Sequence, residues 1–187
     1  MELIQQIDQQ TFLAINGLWS PLSDQCWILI TNRFFWIPLY LFLALLLYKT
    51  LGKKIWLFLL TVVLMISLSD QGANFAKKNF KRLRPCHEPA IADRIHTPSG
   101  CGGKYGYFSG HASNAAAIST IIILLMHERR MIVFLMSSYS LLVGLSRIFL
   151  GAHYPFDILS GFLWGTIVGY IFYRLYTSIY NRWLLKS

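Results

Sequence analysis

Five stretches of the chain are apolar, nearly free of charge, and long enough to matter to a bilayer. They run over about 26–48, 55–75, 109–126, 131–150 and 157–176. A helix crosses the hydrocarbon core with about 20 such residues, so each stretch predicts a membrane-spanning helix. The first 25 residues follow a different pattern. Leu3, Ile4, Ile7, Ala14, Ile15 and Leu18 fall near one helical face, with Gln5, Gln6, Asp8, Gln9 and Gln10 opposite. That predicts an amphipathic helix lying in the membrane interface and ending at Asn16-Gly17. The expected fold is an all-α integral-membrane bundle of about five transmembrane helices plus this N-terminal helix, in one domain over 1–187. Within it, Pro38 is expected to kink the first span. Gly161, Gly165 and Gly169 recur every fourth residue, the spacing that lets two helices approach closely, and are expected to pack inside the bundle.

Composition agrees with the pattern. Of 187 residues, 55% are apolar, 16% are aromatic and 13% are charged, against about 25% charged in an average soluble domain. Disorder is excluded, and a soluble globule would lack polar residues to cover its surface. Seventeen Lys and Arg against eight Asp and Glu give a net charge of +9. The bases sit at segment ends and in one loop, which points to anionic lipid or a phosphorylated substrate rather than nucleic acid. One side of the membrane collects Lys49, Lys53, Lys54, Arg129, Arg130, Arg174, Arg182 and Lys186. The positive-inside rule places that side in the cytoplasm and the long 76–108 loop outside. Without a basic n-region ahead of a short apolar core, no cleaved signal peptide is expected.

Three polar clusters interrupt the apolar pattern. The first is Lys77-Lys-Asn-Phe-Lys-Arg-Leu-Arg84-Pro85, with Asp70, Asn74 and Lys77 on one helical face. The second is Ser109-Gly110-His111, a hydroxyl, a bare amide and an imidazole at a helix N-terminus, which already favours anions. The third is Ser146-Arg147, five residues, His153, three residues, Asp157. The predicted topology brings all three to one membrane face. Ionisable residues at such depth mark function, and three cations around a small space suit a phosphate.

Lys, six residues, Arg-Pro; then Ser-Gly-His; then Ser-Arg, five residues, His, three residues, Asp: in this order and spacing the chain resembles the type 2 phosphatidic acid phosphatase superfamily, integral-membrane lipid phosphatases. Phe108 departs from the proline usual before Ser-Gly-His. The resemblance implies that His153 is the nucleophile, forming a phosphohistidine, and that Asp157 orients its ring. It implies that His111 is the general acid, and that Lys77, Arg84, Arg147, Ser109 and the Gly110 amide hold the phosphoryl oxygens. It implies neither a metal nor another cofactor.

Cys86 and Cys101 flank the long loop and are expected either to form a disulfide or, with His87 and His96, to hold a structural zinc. Lys78, Lys81, Arg82, Arg94 and Lys104 are expected around the entrance, either recognising a second phosphate or sugar or lying among lipid headgroups. The expected function is removal of a terminal phosphate from a membrane lipid at the outer face of a bacterial inner membrane. Undecaprenyl diphosphate is the leading substrate. The alternatives are lipid A, phosphatidylglycerophosphate, and transfer of the phosphoryl group to a lipid hydroxyl at the same site.

Overall fold

A computed structural model describes residues 2–184. Seven α-helices carry the fold: α1 (Glu2–Asn16), α2 (Pro21–Thr31), α3 (Ile37–Leu51), α4 (Ile55–Phe80), α5 (Gly110–Leu125), α6 (Arg130–Phe149) and α7 (Pro155–Ile179). Among the described residues the only β pairing is a single bridge between Leu83 and Tyr105. By length and apolarity three helical runs could cross a membrane unaided: Arg33–Phe80, Arg130–Phe149 and Pro155–Arg182, with Gly110–Leu125 apolar but shorter. The first run is two helices, for the chain reverses at Gly52 (φ 56°) and sets Tyr40 and Leu47 of α3 beside Val62 and Phe58 of α4.

The core lies where α4, α5, α6 and α7 meet, around the fully buried Met65, Ile121, Met136 and Val168. The closest pair is α5 with α7, and the glycine stripe explains it. A Cβ on Gly161 would stand 2.6 Å from the Ser109 carbonyl oxygen and one on Gly169 2.7 Å from that of Ala117; one on Gly165 would strike the Ser113 carbonyl. The stripe is spent within this chain, against the backbone of α5. At one end of the bundle Lys54 lies over the Tyr180 ring, and Leu51 shares a pocket with Arg129, so the basic connections converge there. Lys186, counted with them, lies outside the described residues.

Two expectations give way. The 26–48 stretch is not one span: it breaks at Asn32, whose Oδ1 accepts the Phe34 N–H and starts a short 3-10 turn over Arg33–Trp36. Pro38 then sits in the first turn of α3, where its missing N–H costs nothing, and it kinks no span. α1 meets the bundle through a narrow stripe that the interfacial reading did not single out. Asp8, Phe12 and Asn16 are buried against the bundle, whereas Leu3, Ile4 and Ile7, on the face expected toward the membrane interface, are 68%, 57% and 50% exposed. The bundle end supplies partners for the two polar side chains of the stripe. Asn16 Nδ2 donates to the carbonyls of His96, Ile148 and Phe149, and its Oδ1 accepts the His96 N–H.

Candidate active site

The site is assembled at the end of the bundle opposite the basic connections. α4 continues to Phe80, further than the expected 55–75, and carries Lys77 on its last turn. Lys81 (φ 49°) then ends the helix, its N–H donating to the Lys77 carbonyl at 3.2 Å. The loop that follows folds back on itself. Gly106 N–H donates to the Arg82 carbonyl at 2.9 Å and Arg84 N–H to that of Lys104 at 3.0 Å. A Cys86–Cys101 disulfide ties the same hairpin a few residues on, which leaves neither thiol to hold a metal. This pairing turns Arg82 and Arg84 toward the link between α6 and α7.

That link is formed by a sharp turn. Gly151 has φ 71°, and a Cβ there would stand 2.7 Å from the His96 carbonyl oxygen, so only glycine fits. The turn lets Ala152 and His153 donate their N–H groups to the Arg147 carbonyl at 2.9 and 3.2 Å. His153 is thereby fixed 2% exposed, its Nε2 3.2 Å from Arg84 Nη1. Its Nδ1 faces Asp157 Oδ2 at 3.5 Å. Asp157 is fully buried on the first turn of α7, where its Oδ2 also accepts the Tyr154 N–H at 3.1 Å. Burial pushes the His153 imidazole down to about 4, against the opposing pull of Asp157, so the ring is neutral at physiological pH. A neutral ring with one nitrogen turned to a carboxylate and the other to a guanidinium has the arrangement a nucleophile toward an anion requires.

A cavity of about 470 Å³ opens in front of His153 Nε2. Lys77, Arg84, Gly110, His111 and Arg147 line it together with His153. Those six were singled out from the sequence, and five separate segments deliver them. Asp70 lines the cavity too and accepts the Asn114 amide at 2.8 Å; Asn74 is exposed and lies off it. Ser109 is placed elsewhere. It is wholly buried as the N-cap of α5, its Oγ accepting the Ala112 N–H and its own N–H donating to the Asp157 carbonyl. Its hydroxyl oxygen caps the helix, and it does not line the cavity.

Several residues at the site were not singled out for it from the sequence. Thr31 accepts a hydrogen bond from Arg147 Nη1 at 2.6 Å, and Arg33 lines the same cavity from the break that hydropathy hid. Gly106 lets the loop backbone lie against Arg84 and His153: a Cβ there would stand 3.0 Å from Arg84 Cγ and 3.5 Å from His153 Nδ1. Arg82 is the clearest departure. Expected among the entrance bases, it is half-buried and joins Asp8 of α1 to Asp157, donating through Nη1 to Asp157 Oδ1 at 2.7 Å and through Nη2 to Asp8 Oδ2. Lys78, Lys81, Arg94 and Lys104 remain exposed.

Comparison with known proteins agrees with this geometry. Residues 55–180 match the family described as PAP2 superfamily. A lipid A 4'-phosphatase of Porphyromonas gingivalis is 34% identical over all of this chain and 80% of its own length. One from Bacteroides thetaiotaomicron is 32% identical over 92% of this chain and 78% of its own. The crystal structure of a transmembrane PAP2-type phosphatidylglycerolphosphate phosphatase from Bacillus subtilis has the same fold, with a TM-score of 0.74 at 21% identity over 96% of this chain and 89% of that one. This chain belongs to the PAP2 superfamily, and it is a membrane-embedded hydrolase acting on lipid phosphates.

Proposed function

We propose that the enzyme removes the 4′-phosphate of lipid A through a phosphohistidine on His153. The observation that carries the chemistry is the convergence of Lys77, Arg84, Arg147, His111 and His153 on one cavity, with Asp157 behind the last. His153 Nε2 attacks the phosphorus, and the bond from phosphorus to the sugar oxygen breaks in line. His111 gives its proton to that oxygen, which leaves as the free sugar hydroxyl. Water, losing a proton to His111, then attacks the phosphorus; the N–P bond breaks, and inorganic phosphate leaves. Lys77, Arg84 and Arg147 hold the equatorial oxygens as charge builds on them, and the Gly110 amide adds a donor at the start of α5. Arg84 Nη1, now on His153 Nε2, would move to a phosphoryl oxygen when substrate enters. Asp157 keeps the reactive nitrogen aimed at the cavity and stabilises the imidazolium that forms.

The substrate assignment departs from the leading expectation. Similarity along the whole chain runs to two lipid A 4'-phosphatases, which favours a phosphorylated sugar lipid over undecaprenyl diphosphate. The exposed bases Lys78, Lys81 and Lys104 suit a headgroup with a second phosphate. The chain is a bacterial membrane protein, and we place it in the inner membrane with the cavity facing the periplasm, because the basic connections gather at the opposite end. The test is phosphate release by purified protein from 4′-phosphorylated lipid A, beside undecaprenyl diphosphate and phosphatidylglycerophosphate, with His153→Ala and His111→Ala as comparisons. Fastest release from lipid A, lowered at least a thousandfold by His153→Ala and by His111→Ala, is the expected result. Fastest release from another lipid would overturn the substrate, and wild-type rates in either variant would overturn the roles.

A further inference from the structure

The mechanism uses Asp157 but leaves unexplained why Asp157 has a second partner system on its far side. Its Oδ1 accepts from Arg82 Nη1 at 2.7 Å, and the same guanidinium donates through Nη2 to Asp8 Oδ2. Asp8 is 1% exposed although it stands on the N-terminal helix, and its Oδ1 accepts the N–H of Phe156, next to Asp157 in the chain. The Arg82 guanidinium lies over the Tyr154 ring, 4.3 Å from its centroid, which fixes the plane of the fork. Tyr154 N–H holds Asp157 Oδ2. The hydrogen bonds to the Asp157 carboxylate therefore come from Arg82 of the loop hairpin and from the Tyr154 N–H at the head of α7, while His153 Nδ1 faces Oδ2 from the cavity side.

We propose that Asp8 and Arg82 are positioning residues, which set the orientation of Asp157 and through it the aim of His153, so that α1 is a working part of the active site. This rests on the reading of His153 as nucleophile. Asp157 carries two oxygens at different tasks, and with Arg82 gone Oδ1 would be a buried acceptor without a partner, free to turn the carboxylate off His153 Nδ1. Asp8 holds the guanidinium in its fork and offsets its charge. One carboxylate alone would draw Arg82 fully onto Asp157 and weaken the carboxylate's hold on the imidazole.

The charges facing His153 give the pair an electrical signature. These are Asp157 on α7, Arg84 from the loop, Arg147 on α6 and His111 on α5, with Lys77 of α4 lining the same cavity and the Arg82–Asp8 pair behind Asp157. Removing the negative Asp8 lowers the proton affinity of His153, and removing the positive Arg82 raises it. The acid limb of kcat/KM, which reports the free enzyme, must then move in opposite directions in the two variants. The opposite shifts report that both charges reach His153, and a fall in kcat at unchanged KM reports the lost positioning.

The experiment uses the full-length enzyme in detergent with its best lipid phosphate substrate, comparing wild type, Asp8→Asn, Arg82→Gln, the double variant and His153→Ala. Expected are a fall in kcat of tenfold or more in each single variant and KM within about twofold. The acid limb should shift down in Asp8→Asn and up in Arg82→Gln, and the double variant should be no slower than Arg82→Gln alone. Should Arg82→Gln fail to fold, Arg82→Lys carries the test: it keeps the charge but offers one nitrogen where the fork uses two, and kcat must fall while the limb stays. Unchanged kcat and pH limb in the folded variants, with His153→Ala inactive, would overturn the positioning role alone. Activity in His153→Ala would instead overturn the nucleophile on which it rests.

Discussion

In the proposed mechanism His153 carries the chemistry, because its surroundings give its two nitrogens different work. Nδ1 faces a carboxylate and Nε2 faces cations and the cavity, and burial keeps the ring neutral between them. Since burial pushes His153 from the ordinary 6.5 down to about 4, the attacking form persists well into acid. The acid limb of kcat/KM in the wild-type enzyme is therefore expected near pH 4, and a pH–rate profile checks it. A limb near 6.5 would mean an imidazole open to water. The gathering of side chains was legible in the sequence: a phosphate needs cations, an acid and a nucleophile, few side chains serve, and Lys77, Arg84, His111, Arg147 and His153, singled out by their spacing, do line one cavity with Asp157 behind the last. Ser109 and Arg82 were not so legible. A serine at a helix start serves equally as a cap or as a ligand, and an arginine in a basic loop gives no sign that two buried carboxylates await it.

Among the elements, α5, α6 and α7 begin and end within a few residues of their apolar stretches, because in a bilayer apolarity and span coincide. The first stretch failed for a reason that averaging conceals. Asn32 is one polar residue in a run rich in Trp, Phe and Ile, yet its side chain caps the turn that starts at Arg33 and so separates α2 from α3. The contact between α5 and α7 depends on bare backbone. Gly165→Ala would push a methyl group into the Ser113 carbonyl and is expected to destabilise the bundle by about 1–3 kcal/mol. Because α5 carries His111 and α7 carries Asp157, activity should fall with it. Thermal unfolding in detergent measures the first effect, and a wild-type midpoint would show that the helices can part at no cost. Asn16→Ala, which strips four hydrogen bonds from the junction of α1, α6 and the loop, is expected to cost about 2–3 kcal/mol in the same measurement.

The whole molecule is a bundle with its cations sorted to opposite ends for opposite reasons. One end holds bases that anchor connections; the other holds bases that face a cavity. The hairpin that delivers Arg82 and Arg84 is closed by Cys86–Cys101, whose 15-residue separation is worth about 3 kcal/mol on the chain-entropy account. Reduction, or Cys86→Ser, is expected to lower the temperature at which activity is lost, and an unchanged inactivation temperature would show that the pairing of Arg84 with Lys104 suffices. The same cysteines report orientation. After reduction, a thiol reagent that cannot cross membranes is expected to label them in intact cells, whereas labelling only after lysis would place the cavity in the cytoplasm.

In the proposed mechanism a phosphoryl group passes through His153. Rapid quenching of the enzyme with lipid A labelled at its 4′-phosphorus, followed by peptide mapping of the retained label, would trap it there. A transient phosphoenzyme with the label on the peptide containing His153 is expected, formed by the wild type and missing in His153→Ala. Label on another residue, or turnover of the lipid by His153→Ala at the wild-type rate, would contradict it.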